Sequence, residues 1–309
     1  MKTASASAPG KFVILGEHAV VFGKPAVAVA IDRRFKCTVS KSDRVTINGE
    51  ENALALHPHI LSVLDVHGHP DIEITTESDI PSGSGLGSSA ALAASFSFAV
   101  RSLLGEPTDS EAVAKEAYEA EYSVQGIGSP MDTSASVHGM GIAVNAPEPE
   151  NLLWRVERGK NVWDICGLDV PEMTFVIGYT GKKALTGPLV EKVRRYKERN
   201  SFAKDIIDEI GTVTLEGMDA IKKGDRVKLG GLMTKDHKLL SILGVSGPEL
   251  NKLVDAVSDY SYGAKLTGAG GGGSMLALTD EPEKVSKAIS SRGGTPITVK
   301  TGEPGVRAE

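Results

Sequence analysis

Pro81-Ser82-Gly83-Ser84-Gly85-Leu86-Gly87-Ser88-Ser89-Ala90-Ala91 joins a strand pattern to a helix pattern through three glycines set two residues apart. Before it, Asp71-Ile72-Glu73-Ile74-Thr75 alternates as a half-buried strand does. After it, Ala90 to Leu104 is rich in helix formers and Gly105 suits a C-cap. The glycines therefore open a helix, where the first backbone N–H groups lack partners and the macrodipole is positive. An anion can be held there by main chain alone, and side chains at the glycine positions would block its approach. Ser88 and Ser89 add hydroxyls at the same end. The stretch is not the Walker pattern, because no lysine precedes the serines, and it lacks the G-x-G-x-x-G spacing of a dinucleotide fold. Taken alone, a glycine cluster also suits a tight turn; the flanking strand and helix favour a phosphate loop.

With 309 residues, 40% hydrophobic and 24% charged, the chain has enough apolar material for two ordinary domains, and disorder is not expected. The net charge is −6 and the lysines and arginines are scattered, which argues against a nucleic-acid surface or a polybasic membrane patch. Any anionic ligand must be held by local means. Cys37 and Cys166 form no C-x-x-C or metal motif and read as buried thiols of a reducing compartment. Met1 to Ser7 has no apolar h-region and no stretch reaches the length of a membrane span, so a cytoplasmic protein is expected.

The first part of the chain reads as strand-rich. Lys11 to Leu15 and Ala19 to Phe22 are strand-like runs around a Gly16-Glu17-His18 turn, and Pro25 to Ile31, Phe35 to Val39 and Val45 to Ile47 are short β-branched runs. Four of the seven histidines, His57, His59, His67 and His69, crowd together as in a metal cluster. Ile60 to Leu64 between them reads instead as a helix closed by Gly68, with solvated histidines at both ends. Asp109-Ser110 caps a helix to about Val124 whose acids, Glu111, Glu116, Glu119 and Glu121, read mostly as solvated. The loop Gln125 to Thr133 ends on Asp132, whose plain role is an N-cap.

Two stretches, 146–150 and 158–160, read as surface connections. A new strand from Met173 places a domain boundary between residues 1–170 and 171–309. Helices follow over 187–198, 202–222, 225–243 and 248–260, then a second glycine loop, Lys265 to Ser274, a helix over 281–292 and a strand over 295–300.

Three separated signals, Pro9-Gly10-Lys11, Pro81 to Ala91 and Lys265 to Gly273, together resemble the motifs of the small-molecule kinases named for galactose, homoserine, mevalonate and phosphomevalonate. The resemblance spans nearly the whole chain. Gly16-Glu17-His18-Ala19-Val20-Val21-Phe22-Gly23 is similar to the mevalonate kinase version of the first motif, where galactokinases carry Gly-Glu-His-Thr-Asp. The implied fold is α+β in two domains, the first like the second domain of ribosomal protein S5 and the second with helices on an antiparallel ferredoxin-like sheet. The implied reaction is ATP-dependent phosphorylation of the 5-hydroxyl of mevalonate in a cleft between them.

Phosphoryl transfer asks a protein mainly for positioning and charge neutralisation. By the resemblance, Pro81, Gly83, Ser84, Gly85, Leu86, Gly87, Ser88, Ser89 and Ala90 cradle ATP. Ser89 and Glu121 hold Mg²⁺, Glu121 being chosen because the family places this carboxylate eleven positions before the catalytic aspartate. Asp132 is that aspartate and accepts the proton of the attacking hydroxyl. Lys11 pairs with it and helps orient the substrate oxygen or the γ-phosphate. Glu17, His18, Thr186 and Gly270 fall where the family meets its substrate. The chain departs from the pattern at Met140, where mevalonate kinases usually have a second glycine after Gly139, and at Leu185, where the serine of a Ser-Thr pair would stand. The implied partners are mevalonate and ATP, with neither nucleic acid nor membrane, and homodimerisation is allowed. Two alternatives stay open. A phosphomevalonate kinase should bring extra basic side chains, and none is evident near Glu17 or Thr186. A non-catalytic nucleotide sensor would need the cradle but neither Lys11 nor Asp132.

Overall fold

The computed structural model describes residues 2–51, 53–126, 128–147, 151–182 and 186–309. The first strand, β1 (Thr3–Leu15), begins well before Lys11 and takes in Ala4 to Pro9. Two runs expected as separate strands are one long strand, β2 (Ala26–Lys41). β1 lies along one flank of β2. The other flank is shared by β5 (Ile72–Ser78), which pairs with residues 35–41, and β6 (Gly141–Val144), which pairs with 26–29. β3 (Thr46–Ile47) and β4 (Glu50–Glu51) extend the β5 edge, and β7 (Leu152–Arg158) and β8 (Asn161–Leu168) extend the β6 edge. A second sheet takes the order β10–β11–β9–β12, all antiparallel, from β9 (Thr174–Tyr179), β10 (Gly263–Thr267), β11 (Ser274–Leu278) and β12 (Thr295–Lys300). The last strand, β13 (Arg307–Ala308), returns to pair with β1.

The helices are α1 (Pro58–Val66), α2 (Ser88–Leu104), α3 (Ser110–Gln125), α4 (Met131–His138), α5 (Thr186–Arg199), α6 (Ser201–Lys222), α7 (Arg226–Ile242), α8 (Pro248–Ala256) and α9 (Pro282–Ser291). The small residues Ala90, Ala91, Ala93, Ala94 and Ala99 are all buried on α2 and let it lie close on β1 and β2. Contacts of two kinds, apolar and polar, are among those that join the sheets. Phe12 of β1 packs on Phe175 of β9, ring centroids 4.9 Å apart. The Thr267 hydroxyl of β10 donates to Val13 O at 2.9 Å and accepts from Val13 N at 3.2 Å, beside a register shift in the β1–β2 ladder between Val13 and Leu15.

Several expectations are corrected. Ala19–Phe22 is a short 3-10 helix rather than a strand, closed by Gly23 in the left-handed region. The surface connection at 158–160 stands, but it is the tip of a β7–β8 hairpin whose strands were not expected, with Gly159 at φ +60°. His67 is not solvated: its buried ring sits 3.2 Å from Glu106 and 3.1 Å from Glu116. Nor is Glu116, which accepts hydrogen bonds from Ser97 and from Arg101 as a buried carboxylate must. Met140 stands at φ +47°, a conformation that suits the glycine usual there, with its backbone pinned to Ala30 and Glu303.

Candidate active site

All three loop glycines adopt left-handed backbone, Gly83 at φ +74°, Gly85 at +80° and Gly87 at +73°. Their surroundings differ. A Cβ at Gly85 would meet nothing within 4 Å and one at Gly83 only the Tyr179 hydroxyl, so this stretch stays open to a ligand. At Gly87 a Cβ would lie 2.9 Å from Cγ and Cε of Lys11, so this glycine lets the lysine stem cross the loop. Gly87 is also the N-cap of α2 and offers no side chain to its first N–H groups, which are left for an anion. The Ser84 hydroxyl donates to Pro81 O, and Ser84 O accepts from Ser274 of the second sheet, both at 2.6 Å. Leu86 is buried, and its carbonyl accepts from Lys11 N at 2.9 Å. Alanine at Gly87 should lower kcat at least ~10-fold more than alanine at Gly85. Both carry the backbone strain, but only the first displaces Lys11, and misplacing a reacting group by about 1 Å costs up to ~10²-fold. Parallel steady-state kinetics on the two variants is the check.

Lys11 Nζ lies 2.7 Å from Asp132 Oδ2. Lys11 is buried on β1, while the Asp132 side chain keeps a third of its surface exposed. Asp132 is not the N-cap its position in the loop suggested: Pro130 holds that place and Asp132 sits in the first turn of α4. Next to it, Ser89 of α2 donates to Glu121 Oε1 of α3 at 3.0 Å, and Gln125 donates to the same oxygen at 3.1 Å. Burial first, and then the charge of Asp132, push the Glu121 carboxyl up to about 7. Glu119 leaves this group altogether and pairs with Arg158, whose guanidinium lies 3.9 Å from the Tyr122 ring centre.

Of these groups, Lys11, Glu121, Gln125 and Asp132 border a cavity of about 570 Å³, within the usual range for small-molecule sites. Lys11, Glu17, His18, Glu121 and Asp132 all line it. His18 Nε2–H donates to Ala269 O at 2.9 Å, which leaves the buried Nδ1 without a protein partner. Its backbone stands at φ +62°, and strain of this kind at a non-glycine residue points to a site that the fold over-determines. Burial holds the imidazole below its ordinary value, so the ring is neutral near pH 7. Gly270 does not line the cavity; Gly268 and Ala269 do. A Cβ at Gly270 would lie 2.1 Å from Val245 O, so this glycine serves close packing of the loop. The Thr186 side chain, together with Lys183, Ala184 and Leu185, lies outside the described residues.

Sequence reasoning missed one wall of the cavity. Lys160, Asn161, Val162 and Trp163 of the β7–β8 hairpin line it, as does Arg194 of α5. The available signal was the alternation of buried Trp154 and Val156 with exposed Arg155 and Glu157. It also missed Asp236 and gave Lys265 no role of its own; the two form a buried ionic group with Glu17.

Residues 54–140 match the GHMP kinases N terminal domain and residues 218–294 match the GHMP kinases C terminal domain. The mevalonate kinase of Thermococcus sibiricus is 33% identical over 341 aligned positions, covering 98% of both chains. The chain belongs to the GHMP kinase family. This GHMP kinase superposes on the Methanococcus jannaschii mevalonate kinase with a TM-score of 0.78 at 25% identity, covering 97% of this chain and 98% of that one. The crystal structure of L. major mevalonate kinase in complex with R-mevalonate gives a TM-score of 0.83 at 24% identity, covering 96% and 95%, and bears on the fold alone. As a GHMP kinase the chain is an ATP-dependent kinase with the two-domain α+β fold of that family. Among the described residues no helix is long and apolar enough to cross a membrane.

Proposed function

We propose that the chain is a mevalonate kinase that transfers the γ-phosphoryl group of ATP to the 5-hydroxyl of (R)-mevalonate, giving 5-phosphomevalonate for isoprenoid synthesis. The observation that carries this reading is the Lys11–Asp132 pair at 2.7 Å on the wall of a small-molecule cavity. It stands beside a helix that opens on glycine with no side-chain cap. The similarity to mevalonate kinases at 33% identity over nearly the whole chain supports the choice of alcohol.

Main-chain N–H groups at the start of α2 bind the phosphates, and open space at Gly83 and Gly85 lets them approach. Asp132 accepts the proton of the attacking hydroxyl, and Lys11 holds that carboxylate in place and presents a positive charge toward the transferring group. Mg²⁺ fits the Ser89–Glu121 pair. Both donors are hard oxygens, and among the described residues no group of three or more His, Cys, Asp or Glu forms an all-protein cage, as suits an ion that keeps waters and phosphate oxygens. The ion supplies neutralisation of phosphate charge. For mevalonate, His18 Nδ1 offers an acceptor to a hydroxyl, and the exposed Lys160 and Arg194 at the rim offer cations to the carboxylate.

A coupled assay of ADP release on mevalonate, phosphomevalonate, homoserine and galactose tests the reading. Mevalonate should give the highest kcat/KM, and a preference for phosphomevalonate would overturn the subtype. His18→Ala is expected to lower kcat/KM for mevalonate ~10- to 100-fold, about 1.4 to 3 kcal/mol for one polar contact, while the KM for ATP barely moves. A purely structural His18 would instead show as a lower melting temperature with normal mevalonate use.

A further inference from the structure

Behind the cavity wall, Glu17 is 3% exposed and both Lys265 and Asp236 are 0% exposed. Lys265 Nζ donates to Glu17 Oε1 and, at 2.7 Å, to the carbonyl of Leu266, and it lies 3.4 Å from Asp236 Oδ2. Among the described residues, Glu17 Oε2 and both Asp236 oxygens have no hydrogen-bond partner of good geometry. Two acids and one ammonium thus share a buried site. Its members come from three elements: the turn after β1, helix α7 and strand β10. A buried ionic group of this kind is costly to assemble and is weak evidence for stability, so a role in holding geometry is the better account of it.

We propose that Asp236 and Lys265 are positioning residues that clamp the Glu17–His18 turn against the second sheet, so that both side chains meet the alcohol substrate in the orientation transfer requires. This goes beyond the catalytic pair but rests on the reading of the cavity as the mevalonate site. The backbone of the turn is closed by Ala19 N donating to Glu17 O at 2.7 Å and Val20 N to Gly16 O at 3.2 Å, but these bonds do not fix where its two side chains point. His18 is in a strained backbone conformation, and its own side-chain anchor is the single bond to Ala269 O, in the loop that follows β10. Lys265, on β10, fixes Glu17 from the same side. Asp236 balances Lys265, and the adjoining His237 faces the ammonium as a neutral ring, held down to about 4 by burial and by Lys265. The charged groups facing Glu17 are Lys265 and Asp236. Burial first, opposed by Lys265 and reinforced by Asp236, pushes the Glu17 carboxyl up to about 8. Burial raises the Asp236 carboxyl as well, and with one proton held between the two acids near pH 7 the group carries no net charge.

The test is Asp236→Asn, which keeps shape and removes the second acid. The expected result is a KM for mevalonate raised ~10-fold, with kcat and the KM for ATP within about twofold. If this variant does not fold, the double variant Asp236→Leu/Lys265→Met, which leaves no unpaired charge between the two positions, should fold and show the same selective loss. Unchanged mevalonate KM in a folded variant overturns the proposal, as does an equal loss toward ATP. A second readout needs no substrate. In protein carrying ¹³C-labelled glutamate carboxyls, with the Glu17 signal assigned by Glu17→Gln, the step near pH 8 should fall toward pH 7 or below in Asp236→Asn, because removing a neighbouring negative charge favours the ionised form. An unmoved step overturns the proposal. Wild-type protein that does not phosphorylate mevalonate would defeat the reading of the site, whereas normal mevalonate kinetics in a folded Asp236→Asn variant of an active enzyme would defeat the clamp alone.

Discussion

Asp132→Asn is expected to lower kcat at least ~10²-fold while leaving ATP binding nearly intact, the low end for loss of a general base. The amide has the size of the carboxylate and should sit in the same first turn of α4, so the cavity keeps its shape. What it loses is the ability to accept a proton and the ion pair with Lys11 at 2.7 Å. A third of the Asp132 side chain is open, whereas Lys11 is closed in by the loop at Gly87. The carboxylate is therefore the member of the pair that an incoming hydroxyl can reach. Lys11→Met should also lower turnover with a smaller effect on ATP affinity. In that variant the carboxylate loses the cation that orients it, but the α2 N-terminus that would hold the phosphates is untouched. The check is kcat from ADP release alongside ATP affinity from calorimetry, and near-normal turnover in Asp132→Asn would remove this residue from proton transfer.

Local signals carried much of the fold in the sequence. Asp109 accepts from Ala112 N as an N-cap should, Gly105 closes α2 at φ +78°, and the helices of the second half lie within a few residues of where periodicity put them. What was not legible depends on contacts across the chain. Ala19 to Phe22 is apolar enough for a strand, yet Gly16 and Gly23 in left-handed backbone bend it into a short helix under the cavity. Glu116 and His67 are 49 residues apart and polar, so only the packing of α1, α2 and α3 reveals that they are buried together. The same holds for the site. Lys11, Ser89, Glu121 and Asp132 were named from motif resemblance, and the structure brings their side chains together. Asp236 lies outside every motif on the face of an ordinary helix, and pattern alone does not tell a buried acid from a solvated one. At Gly270 the structure adds a packing reason for a motif glycine, the approach of Val245 O.

Ser89→Ala and Glu121→Gln should each raise the Mg²⁺ concentration needed for half-maximal rate, and at limiting Mg²⁺ each should slow turnover by ~10²-fold, the scale of several kcal/mol that a bound cation contributes to charge stabilisation. The two side chains come from different helices and meet at 3.0 Å, with few other polar partners between them. That geometry leaves hydroxyl and carboxylate oxygens converging on one place. If both serve one ion, removing the first weakens what the second can still hold, so the double variant should lose clearly less than the sum of the single losses expressed as free energies. If Ser89 only supports α2 and Glu121 only packs beneath Asp132, the single variants should instead change stability and leave the Mg²⁺ dependence unmoved. Glu119→Gln separates proximity from position. Glu119 lies two residues from Glu121, but its carboxylate turns to Arg158 on the β7–β8 hairpin, so its Mg²⁺ requirement should match that of the wild type. Titrating Mg²⁺ at saturating ATP and mevalonate across the four variants decides the matter, and additive losses or an unchanged metal requirement would end the assignment of this pair to the ion.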